Sequence, residues 1–181
     1  MTQENDKWVF AYGSLMWNPG FDYLEEAQAT LSGYHRDLCI LSYVFRGTRE
    51  VPGLVMGLNP GGHCVGRAFW VAAEKWEDTV SYLDEREMIN RVYEPAWVDL
   101  VLEDGREVSA YTFLAVGDHD QHVGHFSLDE KVEHVLQGVG CGGSALEYLE
   151  NTICHLQKIG IRDEMLEAIS TASLQKKAKS P

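Results

Sequence analysis

Two alternating runs flanking Asp104-Gly105 constrain this chain more than any other feature. Ala96–Glu103 alternates apolar and polar residues, and Arg106–Ala115 alternates back. An Asp-Gly pair between them supplies the positive φ angles that a two-residue hairpin turn requires. The segment therefore predicts an antiparallel pair, and the rest of the chain has to be read around it.

Upstream, the pattern is mostly strand-like. Lys7–Tyr12 is a short β-prone run stopped at Gly13-Ser14. Phe21–Thr30 is mixed and reads as a loop with a helical turn. In Tyr34–Phe45, Leu38, Ile40 and Val44 fall at even positions, the period of a strand. Val51–Leu58 and Cys64–Val71 read as two further strands joined by the turn-rich Asn59-Pro60-Gly61-Gly62. Over Ala72–Glu87 the period changes. At about 100° per residue, Trp76, Val80 and Leu83 share one helical stripe, with Thr79 beside it.

The last third predicts helices. Ser127-Leu-Asp-Glu130 and Ser144-Ala-Leu-Glu147 are capping boxes, the first opening a helix to about Gln137. Between these two helices lies the glycine-rich Gly138–Gly143. Leu146, Leu149, Ile153 and Leu156 form the inner face of the second helix, which Gly160 ends. Asp163 caps a final helix through about Ser173. No repeat or long linker interrupts the chain, so 1–175 reads as a single domain followed by a frayed tail over 176–181. Strands, one helix, a hairpin and then helices describe an α+β domain with a largely antiparallel sheet.

Charge excludes several classes of partner. Fifteen Lys and Arg against 28 Asp and Glu leave a formal net charge of −13. So acidic a surface repels phosphate backbones and anionic headgroups, which argues against nucleic acid and membrane surfaces. No apolar run approaches the roughly 20 residues of a membrane-spanning helix. The start, Met-Thr-Gln-Glu-Asn-Asp-Lys7, lacks the basic and apolar regions of a secretory signal. Cys39, Cys64, Cys141 and Cys154 contain no Cys-x-x-Cys pair. They read as plain thiols of a reducing, cytoplasmic compartment.

Candidate chemistry begins with Glu87. Four carboxylates lie near the end of the predicted helix: Asp84, Glu85, Glu87 and Glu94. Extending the helix puts Glu87 about 20° from the centre of the apolar stripe, with Glu85 opposite. A carboxylate turned inward is costly unless it is paired or holds a proton near neutrality, the environment of a general acid/base. Two other readings remain open: the helix ends before residue 87, or Glu87 pairs at the surface with Arg86 or Arg91.

Tyr12-Gly13-Ser14-Leu15, directly after the first strand, is the second feature. A strand ending in Gly-Ser can present consecutive N–H groups to an anion or oxyanion. It has neither the spacing of a phosphate loop nor the Gly-x-Ser-x-Gly of a serine hydrolase. Elsewhere, His119-x-x-His122-x-x-His125 has ligand-like spacing, but Gly117, Asp118 and Gly124 make it a loop of solvated histidines, so no metal is expected. Cys141 is the candidate for a thiolate nucleophile, at a helix entry with no identifiable His beside it.

Val9-Phe-Ala-Tyr-Gly-Ser-Leu-Met-Trp-Asn-Pro19 resembles the N-terminal signature of the ChaC family of γ-glutamylcyclotransferases. Phe45-Arg-Gly-Thr48 with Val51-Pro-Gly53, Tyr82-Leu-Asp-Glu-Arg-Glu87 and Gly142-Gly-Ser-Ala-Leu-Glu-Tyr-Leu149 follow in the family's order, so the resemblance covers roughly Trp8–Leu156. Two positions depart from it: Ile89-Asn-Arg-Val-Tyr93 stands where relatives have Gly-Gly-Tyr, and Leu54 where they have arginine. These bear on substrate preference more than on reaction type.

The resemblance implies a small mixed sheet curled toward a barrel and flanked by helices. It further implies a monomer that cleaves glutathione into 5-oxoproline and Cys-Gly without a cofactor. In that reaction the substrate's α-amine attacks its own γ-carbonyl, an orientation problem more than a nucleophile problem. Glu87 would carry the proton from the amine to the leaving nitrogen. Gly13, Ser14 and Leu15 would hold the γ-glutamyl group, Tyr12 and Tyr111 would assist binding, and Arg46 would pair with a substrate carboxylate. Alternatives are other γ-glutamyl peptides, γ-glutamylamines, or a non-enzymatic binding module, since members are also described as cation-transport regulators.

Overall fold

Alternation organises the sheet of the computed structural model, which describes residues 7–181. The N-terminal stretch read as no secretory signal lies, apart from Lys7, outside those residues. Strand β1 (Lys7–Ala11) is buried from Trp8 onward. It lies between β3 (Gly53–Val71), antiparallel to it, and β5 (Glu107–Ala115), parallel to it. Strand β4 (Tyr93–Leu102) pairs antiparallel with β5 and with β2 (Glu25–Ser42). The order β1-β3-β2-β4-β5 closes into a barrel. This is the mixed, largely antiparallel curled sheet expected of an α+β chain, and closure leaves no edge open to another strand. The predicted hairpin forms, in register from Tyr93 opposite Ala115 to Val101 opposite Glu107, but its turn has three residues and not two. Leu102 N–H donates to Arg106 O across Glu103–Gly105, and of Asp104 and Gly105 only the glycine takes a positive φ, +88°.

Two strand expectations need correction. The segment read as two strands is the single strand β3, with Asn59-Pro60-Gly61-Gly62 inside it. Gly61 and Gly62 take φ of +100° and +68°, so the glycines bend the strand without ending it. Phe21–Thr30, read as a loop with a helical turn, already contains the start of β2. There Ala27 and Ala29 are buried between more exposed neighbours, and alanine is too weak a hydrophobe to make such alternation plain.

The chain forms two compact units. One takes the described residues through Arg36 together with Leu58–Val116. Phe10, Leu31, Leu58, Leu100 and Leu102, each at most 2% exposed, belong to its core. It also holds helix α1 (Trp76–Glu87), preceded by a 3-10 turn over Ala73–Lys75. The helix predicted over Ala72–Glu87 is thus divided at its start and ends at the expected residue.

The other unit takes Asp37–Gly57 and Gly117–Pro181. Its helices are α2 (Leu128–Gln137), α3 (Ala145–Lys158) and α4 (Glu164–Lys179), with the two-residue strands β6 (Val139–Gly140) and β7 (Gly143–Ser144) between the first two. Ser127 and Glu130 form the predicted capping box, Ser144 Oγ accepts from Glu147 N–H, and Asp163 Oδ1 accepts from Leu166 N–H. Helix α4 runs six residues past the predicted end at Ser173, into the segment read as frayed. Lys176, Lys177 and Lys179 sit in its last turn, where cations are favoured by the helix dipole. Leu38, Leu54, Val135, Leu149 and Leu166 are fully buried here. Among the described residues no helix is long and apolar enough to cross a membrane.

Candidate active site

The turn after β1 is built on two buried side chains. Leu15 and Met16, in a 3-10 turn over Ser14–Met16, face inward and leave Ser14 half-exposed. Met16 N–H donates to Gly13 O at 2.9 Å, and Asn18 N–H to Ser14 O at 2.9 Å. The N–H groups of Ser14 and Leu15, at the start of the turn, lie outside those bonds. The Tyr12 hydroxyl donates to Phe113 O at 3.0 Å, tying the end of β1 to β5.

Arg36, 3% exposed on β2, secures the same turn from inside the barrel unit. Its Nε donates to Tyr12 O at 2.6 Å and its Nη2 to Val65 O at 2.7 Å, with Met16 Sδ 3.9 Å from Nη2. Sequence reasoning missed Arg36, because a buried arginine inside a strand pattern has no local signature.

Helix α1 supplies the other half of the site. Leu83 and Thr79 are buried and set the inward face of the helix. Tyr82 and Arg86, four residues apart, therefore share a stripe. Arg86 Nη1 donates to the Tyr82 hydroxyl at 2.9 Å and to Asn18 O at 3.0 Å, and Nη2 donates to Ser14 Oγ at 2.8 Å. Gly20 permits this closeness: a Cβ there would lie 2.1 Å from the Tyr82 hydroxyl oxygen.

Glu87, the last residue of α1, is half-buried, its side chain 23% exposed, and Oε1 lies 3.6 Å from Arg86 Nε. Burial raises its pKa above the ordinary glutamate value, while the Arg86 charge pulls the other way. Its place at the helix C-terminus also favours the protonated form. The Arg86 pairing weighed against a catalytic reading is therefore present, yet it does not carry the carboxylate into water.

Of the neighbouring carboxylates, Glu85 and Glu94 are exposed. Asp84 Oδ1 accepts from the Tyr111 hydroxyl at 2.9 Å. Tyr111 is 8% exposed and packs edge-on against Trp76, Trp97 and Phe113. Its pKa is raised by burial and by Asp84. Tyr12, Gly13, Ser14, Leu15, Glu87 and Tyr111 thus belong to one unit, with Arg86 bridging Ser14 and Glu87.

Arg46 belongs to the other unit. Its Nη1 donates to Ser144 O at 3.3 Å, and its guanidinium lies 5.3 Å from the centre of the Tyr148 ring. The glycine-rich loop packs backbone against backbone there: a Cβ on Gly138 would lie 2.3 Å from Gly53 Cα. Close packing accounts for that glycine without recourse to Cys141, an exposed free thiol. His119 lies on a bend, His122 in an isolated β-bridge with Ile40 and His125 on a turn. Of the three only His125 is exposed, which corrects the expectation of solvated histidines, and Gln121 N–H donates to His119 Nδ1 at 3.1 Å. Among the described residues no group of three or more His, Cys, Asp or Glu could hold a metal ion.

A closed five-stranded barrel of this connectivity, with helices beside it, is the fold of the γ-glutamylcyclotransferases. A crystal structure of a yeast γ-glutamyl cyclotransferase specific to glutathione superposes with a TM-score of 0.84 at 22% identity, over 94% of this chain and 99% of that one. The chain belongs to the ChaC-like protein family, whose model matches residues 7–176. A glutathione-specific γ-glutamylcyclotransferase of Escherichia coli K12 is 34% identical over 163 residues, 90% of this chain and 71% of that relative. The human glutathione-specific γ-glutamylcyclotransferase 1 is 29% identical over 171 residues, 91% of this chain and 77% of that relative.

Proposed function

We propose that this chain is a γ-glutamylcyclotransferase that splits glutathione into 5-oxoproline and Cys-Gly, with Glu87 as its general acid/base. One observation carries the reading: a half-buried carboxylate whose pKa is raised by burial is linked, through Arg86, to the Ser14 turn. The 34% identity with the E. coli enzyme supports the substrate.

The substrate contains both reacting groups. Its α-amine attacks the γ-carbonyl carbon, the C–N bond to the cysteine residue breaks, and a five-membered lactam leaves as 5-oxoproline. Folding the chain into attack geometry supplies several kcal/mol of the barrier reduction. Ionised Glu87 takes the proton the amine must lose and returns it to the departing nitrogen, so atoms and charge balance without metal or cofactor. A base with a raised pKa suits this cycle, because it accepts the proton more readily than an ordinary glutamate does.

The backbone of Gly13, Ser14 and Leu15 grips the γ-glutamyl end, its N–H groups facing developing negative charge. Tyr12 and Tyr111 serve as walls of the site, since their hydroxyls are already given to Phe113 O and Asp84. Arg46, in the other unit, is assigned to a substrate carboxylate by the family resemblance alone; Ser144 O accepts from its Nη1. The uninterrupted family match over 7–176 supports treating 1–175 as one functional domain. The four free cysteines support a reducing, cytoplasmic setting, and the reading takes the active form as a monomer.

The deciding experiment measures 5-oxoproline released from glutathione, from several γ-glutamyl dipeptides and from a γ-glutamylamine, for wild type and Glu87→Gln. Release from glutathione by wild type, lost in the variant, is the expected result. Release only from the other compounds moves the substrate assignment, and none from any of them turns the reading toward a binding module. A folded Glu87→Gln protein with full turnover ends the assignment of Glu87.

A further inference from the structure

We infer that Arg86 is a positioning residue for this reaction, holding the Ser14 turn and the Glu87 carboxyl in fixed mutual geometry; the inference rests on the function proposed above. Four groups converge on one guanidinium. Ser14 Oγ lies 2.8 Å from Nη2, Asn18 O 3.0 Å and the Tyr82 hydroxyl 2.9 Å from Nη1, and Glu87 Oε1 3.6 Å from Nε. Two of these groups come from the turn after β1, one from the preceding turn of α1, and one is the proposed base. The planar fork sets the directions among them, and a lysine ammonium cannot, being a single point of charge on a flexible stem.

Arg86 itself is about a quarter exposed, its side chain at 24%. A purely structural strap would tie the turn to the helix and do nothing to the base. The geometry adds a second effect, because Nε faces the carboxyl and not the turn. The charged neighbours of Glu87 on α1 are Asp84, Glu85 and Arg86. Asp84 is engaged by Tyr111 from β5, Glu85 is exposed, and Ser14 and Tyr82 are neutral. Arg86 is the cation that opposes the effect of burial on Glu87. Removing it leaves burial unopposed, so the carboxyl gives up its proton only at higher pH.

The test follows 5-oxoproline release from glutathione between about pH 5 and 9 for wild type, Glu87→Gln, Arg86→Gln, Arg86→Lys and Ser14→Ala. Arg86→Gln is expected to move the acidic limb of kcat/KM upward by on the order of one pH unit. Its KM is expected to rise about tenfold. Arg86→Lys should return the limb to its wild-type place while leaving KM high. Ser14→Ala should raise KM and leave the limb alone.

A wild-type acidic limb in Arg86→Gln, or full recovery of KM by Arg86→Lys, overturns the inference. Should Arg86→Gln fail to fold, Arg86→Lys and Ser14→Ala decide it. Their KM defects should be non-additive in the double variant, and additivity would refute the coupling. Inactive wild type, or an active Glu87→Gln, overturns the function itself and this inference with it; retained function with unmoved Arg86 variants overturns the inference alone.

Discussion

Each unit of the molecule holds a carboxylate beside a cation, and the two pairs are built differently. In the helical unit, Lys131 Nζ donates to Asp37 Oδ1 at 2.6 Å, with the side chains 9% and 3% exposed. In the barrel unit, Glu87 Oε1 stands 3.6 Å from Arg86 Nε, beyond hydrogen-bond reach, with side chains near one-quarter exposed. The first cation bonds its carboxylate directly. The second directs its terminal nitrogens to Ser14, Asn18 and Tyr82 and leaves the carboxylate opposed but unbonded by it. A buried ion pair with direct contact is a structural element, and breaking it strands a charge. A carboxylate held out of water without a direct ionic hydrogen bond keeps its lone pairs for a substrate proton. On the function proposed, this difference in geometry is a difference in role.

The comparison breaks most visibly on turnover. Glu87→Gln is expected to lower 5-oxoproline release by about 10²–10⁴-fold, the usual span for a general acid/base. Steady-state assay on protein with a wild-type circular dichroism spectrum checks it. A loss under tenfold would place Glu87 with the structural carboxylates.

Stability should respond in the other unit. Lys131→Met leaves Asp37 buried without its cation and is expected to cost about 3–5 kcal/mol in urea denaturation. A cost below about 1 kcal/mol would mean that the pair is no more structural than a surface bridge. Smaller still, Tyr111→Phe keeps the ring among Trp76, Trp97 and Phe113 and removes the donor to Asp84. It should cost about 1 kcal/mol. If kcat/KM falls more than tenfold in that variant, the hydroxyl has a part in binding that its bond to Asp84 conceals.

How far the sequence revealed these pairs depends on the range of the interactions. The Asp104-Gly105 hairpin and the caps at Ser127, Ser144 and Asp163 were legible because each is specified by residues two or three positions apart. Helical period alone put Glu87 at the end of α1 and on its inner side. The Tyr12–Leu15 turn was visible as a strand stop, and its link to Glu87 came only from family resemblance. Arg36 and the Asp37–Lys131 pair were not legible, since their partners lie 24 and 94 positions away and no periodicity joins them. Likewise, Gly61-Gly62 looked like the end of a strand because local turn chemistry says nothing about the neighbours that continue a barrel. The sequence offers Arg86 only as a surface partner of Glu87, because its bond to Ser14 spans 72 positions.

The smallest expected effect separates the two carboxylates by sign. Burial raises the pKa of Glu87 in the folded protein, with Arg86 opposing it. The folded state therefore binds this proton more tightly than the unfolded chain. That contribution to stability is complete below the ordinary glutamate pKa of about 4.3 and is lost as pH rises through the raised folded value. Glutamine has no such charge to bury. Glu87→Gln should match wild type in acid and exceed it at neutral pH, by roughly 1–4 °C in Tm for a chain of this size. Scanning calorimetry across that window checks the sign. Asp37→Asn should instead lower Tm at neutral pH, because it leaves Lys131 buried without its counter-charge. A Glu87→Gln protein less stable than wild type at neutral pH would mean that attraction to Arg86 outweighs desolvation, and Glu87 would then be a second Asp37.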